Sequence, residues 1–231
     1  MASVDVTVRG AGIFGLSVAW ACVQRGARVC VVDPNGPGAG ASGGIVGALA
    51  PHVPEVWNEK KAFQLDSLLM AEAFWTEVAQ AGGGAPGYAR TGRLQPIPDD
   101  AGLALARARA RGAADLWRGK ATWDVVAAGT DSWRLESPTG WMIRDTLSAR
   151  LHPRRACEAL VAALKAHDVP VVPAAPDAGA VVWATGWEGL RALSEALGKK
   201  VGDGVKGQTV LLEFPAPADA PQVFVQGLHI V

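Results

Sequence analysis

The chain has 231 residues, 49% of them hydrophobic and 19% charged, which describes a folded globular protein and excludes an intrinsically disordered one. Lys+Arg and Asp+Glu number 22 each, so no net field recruits nucleic acid or an anionic membrane surface. The three scattered cysteines, Cys22, Cys30 and Cys157, form no C-x-x-C or Cys/His pattern, so the expectation is no metal site, and reduced thiols in a cytoplasmic compartment.

The run Val4-Asp5-Val6-Thr7-Val8-Arg9-Gly10-Ala11-Gly12-Ile13-Phe14-Gly15, with Asp33 closing a second apolar run, reads as strand, glycine turn, helix, strand, acid. Gly10 lets the strand turn tightly into the helix. Gly12 lets backbone approach a pyrophosphate with no Cβ in the way, and Gly15 lets the helix sit close on the strand. The anion then meets the unpaired N–H groups and positive dipole end of that helix. Asp33 ends the strand at 28–32, where a carboxylate can accept ribose hydroxyls. The apolar stretch Ile13–Val23 resembles a secretory core, but Asp5 stands where a basic segment belongs and the glycine spacing explains it better. No run of about 18 apolar residues occurs, so no transmembrane helix is expected.

Residues 34–58 are dense in Gly, Pro and Ala, as backbone passing close to a ligand requires. Leu65, Leu68, Leu69 and Ala73 fall on one face of a helix over 60–80, which Gly82-Gly83-Gly84 ends. Residues 91–97 read as a short strand. Asp99 and Asp100 supply N-cap chemistry for an Ala/Arg-rich helix to about Lys120. His152 caps, and Pro153 opens, a further helix with Ala156, Leu160, Val161 and Leu164 as its buried stripe. Strands follow at 169–172 and Ala180–Trp183, then a helix to Leu197 stopped by Gly198. Residues 207–214 and 223–231 each read as a strand. The chain therefore begins in and returns to a nucleotide-binding core, with residues 60–145 inserted as a second region.

In this order the pieces resemble the flavin-dependent amine oxidoreductase superfamily that contains glycine oxidase, sarcosine oxidase, D-amino-acid oxidase and D-amino-acid dehydrogenase. Four segments carry the resemblance: Gly10-Ala11-Gly12-Ile13-Phe14-Gly15 with Asp33; Gly40-Ala41-Ser42 through Gly47-Ala48-Leu49-Ala50-Pro51; Val181-Val182-Trp183-Ala184-Thr185-Gly186; and Gly207-Gln208. The resemblance implies an α/β fold, a Rossmann-like FAD-binding domain of glutathione-reductase type with an inserted mixed-sheet substrate domain. The boundaries expected are an FAD-binding segment over 1–58, the insertion and connecting helices over 59–145, a second FAD-binding segment over 146–205, and the start of the substrate-domain sheet over 206–231. The match stops at Gly227-Leu228-His229-Ile230-Val231, so the expectation is a chain lacking the family's C-terminal part, including the arginine that pairs the substrate carboxylate. Three further departures stand out. Arg9 precedes the first glycine, where it either caps the strand end or brings charge to the pyrophosphate. Asp33 replaces a commoner glutamate, and the link from Val172 to Val181 is short.

Carried over residue by residue, Gly10, Ala11, Gly12, Ile13, Phe14, Gly15, Asp33, Ala41, Ser42, Thr185 and Gly186 would bind FAD, and Gly47, Ala48 and Leu49 would flank its ring. The implied reaction oxidises the C–N bond of glycine, sarcosine or a D-amino acid. Hydride leaves the carbon next to nitrogen for the flavin, and the imine hydrolyses to a 2-oxo acid. O2 or a quinone accepts the electrons; nucleic acid and membrane are not expected as partners, and oligomerisation is left open. His229, at a position where relatives place an aromatic hydroxyl against substrate, and His52, beside the flavin stretch, are the catalytic candidates. Arg93, Arg144 and Arg150 are of the type that meets a carboxylate, with none singled out. Two alternatives are kept: the flavin domain of a tRNA 5-methylaminomethyl-2-thiouridine modification enzyme, and an FAD-binding fold without catalysis.

Overall fold

The computed structural model describes residues 4–130, 133–215 and 217–231. In chain order the elements begin with β1 (Val6–Arg9), α1 (Ile13–Val23), β2 (Val29–Val32), β3 (Gly47–Leu49), α2 (Glu59–Gly82) and β4 (Arg93–Pro96). They continue with α3 (Asp100–Leu116), β5 (Trp123–Ala127), β6 (Trp141–Asp145), β7 (Ala149–Leu151) and α4 (Pro153–Ala166). The last are β8 (Val171–Val172), β9 (Ala180–Trp183), α5 (Gly186–Leu197), β10 (Gln222–Val225) and β11 (Leu228–Ile230).

These divide into two compact units. The first holds Met1–Ile45, Trp75–Gly87 and His152–Leu211; the second holds Val46–Phe74, Tyr88–Leu151 and Leu212–Val231.

The first unit is built on a four-stranded parallel sheet of order β8-β2-β1-β9. All four residues of β2 are buried, as expected of a Val-rich central strand in a parallel sheet. The apolar helix α1 buries Leu16, Ala19 and Trp20 and packs on α4, whose Ala156, Cys157, Ala159, Leu160, Ala163 and Leu164 form one buried stripe. Small residues bring helices close: a Cβ on Gly82, at the end of α2, would stand 2.4 Å from the Ala163 nitrogen. His152 Nδ1 accepts the Arg155 N–H at 3.4 Å, so the N-cap lies where the residue before Pro153 places it.

The second unit carries a five-stranded mixed sheet, β11-β10-β4-β6-β5, in which only β10 and β4 run parallel. The small antiparallel pair β3-β7 accompanies it. Leu65 and Leu68 of α2, Ala113 of α3, Trp117, Trp123 and Leu147 form its core, with Trp117 and Trp123 edge to face at 6.0 Å. Asp99 Oδ1 accepts the Gly102 N–H at 2.7 Å and caps α3. That helix ends at Leu116 rather than near Lys120, because Arg118 turns into the left-handed region (φ 54°).

Two expected strands are corrected. Residues 207–214 form no strand, because among the described residues no neighbour pairs with them to build a ladder. Residues 223–231 are a hairpin, not one strand: Gln226 (φ 49°) and Gly227 (φ 82°) turn β10 into β11, the geometry of a two-residue type I′ turn.

Candidate functional site

The site residues of the first unit gather at the carboxyl ends of β1, β2 and β9, where doubly wound sheets take their ligands. The three glycines of the turn have separate constraints. Gly10 has φ 108°, and a Cβ there would stand 2.3 Å from the Ala184 carbonyl oxygen. At Gly15 a Cβ would stand 1.8 Å from the Gly10 oxygen, so helix and strand approach to the limit that only glycine permits. Gly12 is different. Its backbone is extended (φ −78°, ψ −178°) and its missing Cβ would meet only Ser42, at 3.2 Å from Oγ.

The turn is braced by side chains that arrive from later in the sequence. Asp33 Oδ2 accepts the Ala11 N–H at 2.7 Å, and Oδ1 accepts the Asn35 N–H at 2.9 Å. Ser42, on the single 3-10 turn Ala41–Gly43, accepts the Ile13 N–H at 3.0 Å. Arg154 on α4 donates to the Gly43 carbonyl at 3.0 Å and holds that turn in place. Cys157 lies buried beneath it; burial raises its thiol pKa more than the Ser42 hydrogen bond lowers it, so it is an inert packing thiol. Ala184 donates its N–H to the Arg9 carbonyl at 2.7 Å, which sets Thr185 and Gly186 beside the turn. Gly186 has φ 65°, and Thr185 occupies the space that a Cβ on Gly189 would need.

The remaining expected residues belong to the second unit. Gly47, Ala48 and Leu49 pair with Leu151, Arg150 and Ala149, and Gln222 on β10 donates its side-chain amide to the carbonyls of Leu49 and Ala149. His52 gives its backbone N–H to Gln64 at 2.7 Å, which fixes its main chain rather than its ring. His229 is exposed on β11 with its ring 4.6 Å from that of Phe224. Burial first, and the nearby Arg93 charge second, lower its pKa.

The sequence reading missed three supports: the Arg154 brace, the tie between Arg9 and Asp177, and the buried pair Arg93–Asp145. Only the first had a sequence signal, its place in the first turn after Pro153.

The residues present fit an adenine dinucleotide. Gly12 caps α1 with no side-chain hydrogen bond and leaves a cradle with no Cβ over the helix N-terminus, and Asp33 stands at the end of β2. A βαβ core with this turn and acid defines a dinucleotide-binding protein. The chain belongs to the FAD dependent oxidoreductase family, whose pattern matches residues 5–229, and its cofactor is FAD.

Among solved structures, glycine oxidase from Geobacillus kaustophilus superposes with a TM-score of 0.72 at 17% identity, over 98% of this chain and 67% of that one. L-amino acid deaminase from Proteus vulgaris gives 0.69 at 18%, over 97% and 57%. A putative thiamine biosynthesis oxidoreductase, ThiO, of Rhizobium etli is 39% identical over 80 residues, 33% of this chain and 23% of that protein. The tRNA 5-methylaminomethyl-2-thiouridine biosynthesis bifunctional protein MnmC of a Psychrobacter species is 35% identical over 76 residues, 33% of this chain and 10% of that protein. The chain thus matches only part of the length of these relatives. Among the described residues no helix is long and apolar enough to cross a membrane, and no cluster of three His, Cys, Asp or Glu could hold a metal.

Proposed function

We propose that the chain carries the flavin site of an oxidoreductase acting on the C–N bond of a small amino acid such as glycine, sarcosine or a D-amino acid. The observation that carries this reading is the braced cradle at Gly12, with Ser42 and Asp33 holding the N–H groups on either side of it. Bound FAD supplies the acceptor for the hydride that leaves the carbon next to nitrogen. The residues that would hold it are Gly10, Ala11, Gly12, Ile13, Phe14 and Gly15 at the pyrophosphate, Asp33 at the ribose, and Ala41, Ser42, Thr185 and Gly186 around them. Gly47, Ala48 and Leu49 would flank the ring. For these residues the work is binding and orientation rather than proton transfer: a neutral amine releases hydride without a paired acid and base. The electrons would pass on to O2 or a quinone. The three free cysteines support a reducing, cytoplasmic compartment.

The likeness to the MnmC stretch favours a second reading, in which the same chemistry acts on an aminomethyl group of tRNA. The equal charge counts argue for the small amino acid. The test is flavin titration of the purified protein, then oxidation assays with glycine, sarcosine and D-alanine beside salt-dependent tRNA binding. Flavin uptake with amino-acid oxidation supports the first reading; tRNA binding that falls steeply with salt supports the second. A protein that takes up FAD and oxidises neither substrate is a binding fold alone.

A further inference from the structure

Gln222 opens β10 and is almost wholly buried, 1% exposed. Its side-chain amide donates to two carbonyls, those of Ala149 on β7 and Leu49 on β3, the latter at 3.4 Å. These two residues face each other as one cross-strand pair, so a single NH2 group bridges both strands of the small sheet. A primary amide suits this task because it offers two hydrogens, and two carbonyl acceptors fix which end must face them. Its Oε1 has no partner among the described residues. A buried amide satisfied at one end only is a poor way to stabilise a core, where an apolar side chain of the same shape costs less. The reason for the amide lies in what it holds.

The main chain already ties β10 to β7. Gln222 gives its backbone N–H to the Gly92 carbonyl at 2.9 Å, and Gly92 gives its own N–H to the Ser148 carbonyl at 2.9 Å. Gly92 is pressed against the turn before β7, since a Cβ there would stand 2.4 Å from the Asp145 carbonyl oxygen. Asp145 fixes that turn by accepting the N–H groups of Leu147 and Ser148 at 3.1 and 2.7 Å. The start of β7 is thus anchored without the Gln222 side chain. What the side chain adds is the reach to Leu49, at the end of the stretch Gly47-Ala48-Leu49.

We propose that Gln222 is a positioning residue for the flavin: its amide sets where the Gly47–Leu49 backbone stands beside the ring. This rests on the reading above that Gly47, Ala48 and Leu49 flank the ring. The test titrates the 231-residue chain with FAD and, in parallel, with ADP, which is FAD without its riboflavin. The ratio of the two affinities isolates what the ring end contributes, and the parent should bind FAD more tightly than ADP. Gln222→Met keeps the length and has no donor. Gln222→Glu keeps the length and places a carboxylate, which donates nothing when ionised, next in register to Arg93. Both should cut the FAD-over-ADP ratio about fivefold and shift the visible absorption of the bound flavin, with the ADP affinity unchanged. If FAD and ADP weaken together and the ratio is kept, Gln222 is merely structural and the proposal is wrong. Variants with the parent's ratio and absorption would overturn the role of Gln222 alone and leave the ring flank standing. A parent that binds FAD no more tightly than ADP would overturn the Gly47–Leu49 reading, and this role with it. Should Gln222→Glu fail to fold beside Arg93, Gln222→Met decides.

Discussion

Arg9 and Asp177, 168 residues apart in sequence, form an ion pair at 2.7 Å, and the same guanidinium donates to the Ala175 carbonyl at 3.1 Å. Two residues earlier on β1, the Thr7 hydroxyl both donates to the Ala178 carbonyl and accepts its N–H. Together they strap the short connection between β8 and β9 across β1. Of the two roles open to Arg9, the structure shows it spent on this strap and on the Trp183 ring, 5.8 Å away.

The pair is partly exposed, 24% and 44% at the two side chains, so Asp177→Asn should cost under about 1 kcal/mol in urea unfolding. Arg9→Ala also loses the Ala175 bond and the Trp183 contact, and should cost about 1 kcal/mol more. Equal losses from the two variants would mean that only the ion pair matters.

The three glycines of the turn should separate by experiment. Gly15→Ala and Gly10→Ala place a Cβ 1.8 and 2.3 Å from backbone oxygens, so both should destabilise the chain by about 2 kcal/mol or more. Gly12→Val meets only a side chain and should leave a cooperative unfolding transition, yet abolish FAD binding. Urea unfolding and flavin titration of the three variants check the order.

Asp33→Ala should weaken FAD binding by about 1.5–3 kcal/mol, the worth of a hydrogen-bonded carboxylate, and should fall short of the Gly12→Val loss. Ser42→Ala frees the Ile13 N–H and should weaken it less, since water can replace one neutral acceptor. Flavin fluorescence titrations rank the variants; an Asp33→Ala protein with unchanged affinity would remove the carboxylate from the ribose.

Much of the first unit was legible because each signal there is local. The glycine spacing, the Val runs and the cap residues His152 and Gly198 act within a few residues of their own position. The second unit was less so. Strands such as Trp-Asp-Val-Val-Ala at Trp123–Ala127 and Trp-Met-Ile-Arg-Asp at Trp141–Asp145 are short and mixed, and they become strands only through each other. Residues 207–214 failed in the opposite sense: Gly-Gln-Thr-Val-Leu-Leu-Glu-Phe has strand composition and no ladder. For the site, the turn could be read and its braces could not, because Ser42 and Arg154 reach it through tertiary structure.

Acid should weaken the Asp5–Arg28 pair. Its carboxylate takes the Arg28 Nε–H at 2.9 Å, Nη2–H at 2.6 Å and backbone N–H at 2.9 Å, and the Arg28 side chain holds its pKa well below the carboxylate range. Glu55 is lowered in the same way by Arg109. A depressed folded pKa gives stability that is present above the unfolded value, about 4, and is lost as pH falls below it. Urea midpoints should therefore decline on the acid side of about pH 4, and Asp5→Asn should make that decline shallower while lowering stability at neutral pH. An acid limb of the same slope in Asp5→Asn would remove the pair from the linkage.

The residues after α5 leave a chain of apolar side chains in water. Val205 is 99% exposed and Leu211 82%, with Val210, Leu212 and Phe214 also open. The outer face of α5 adds Trp187, Leu190, Leu193 and Leu197. Exposed apolar side chains of this kind promote self-association, and a segment without a ladder offers its backbone to a neighbouring edge. The purified chain should bind a hydrophobic dye at neutral pH and show a concentration-dependent apparent mass. Replacing Val210 and Leu212 by Lys should raise the monomer fraction without shifting the melting temperature, because neither side chain is packed in the fold. A melting temperature lowered by several degrees in that double variant would show that residues 207–214 are bound to something in solution, and the segment would then have a partner to find.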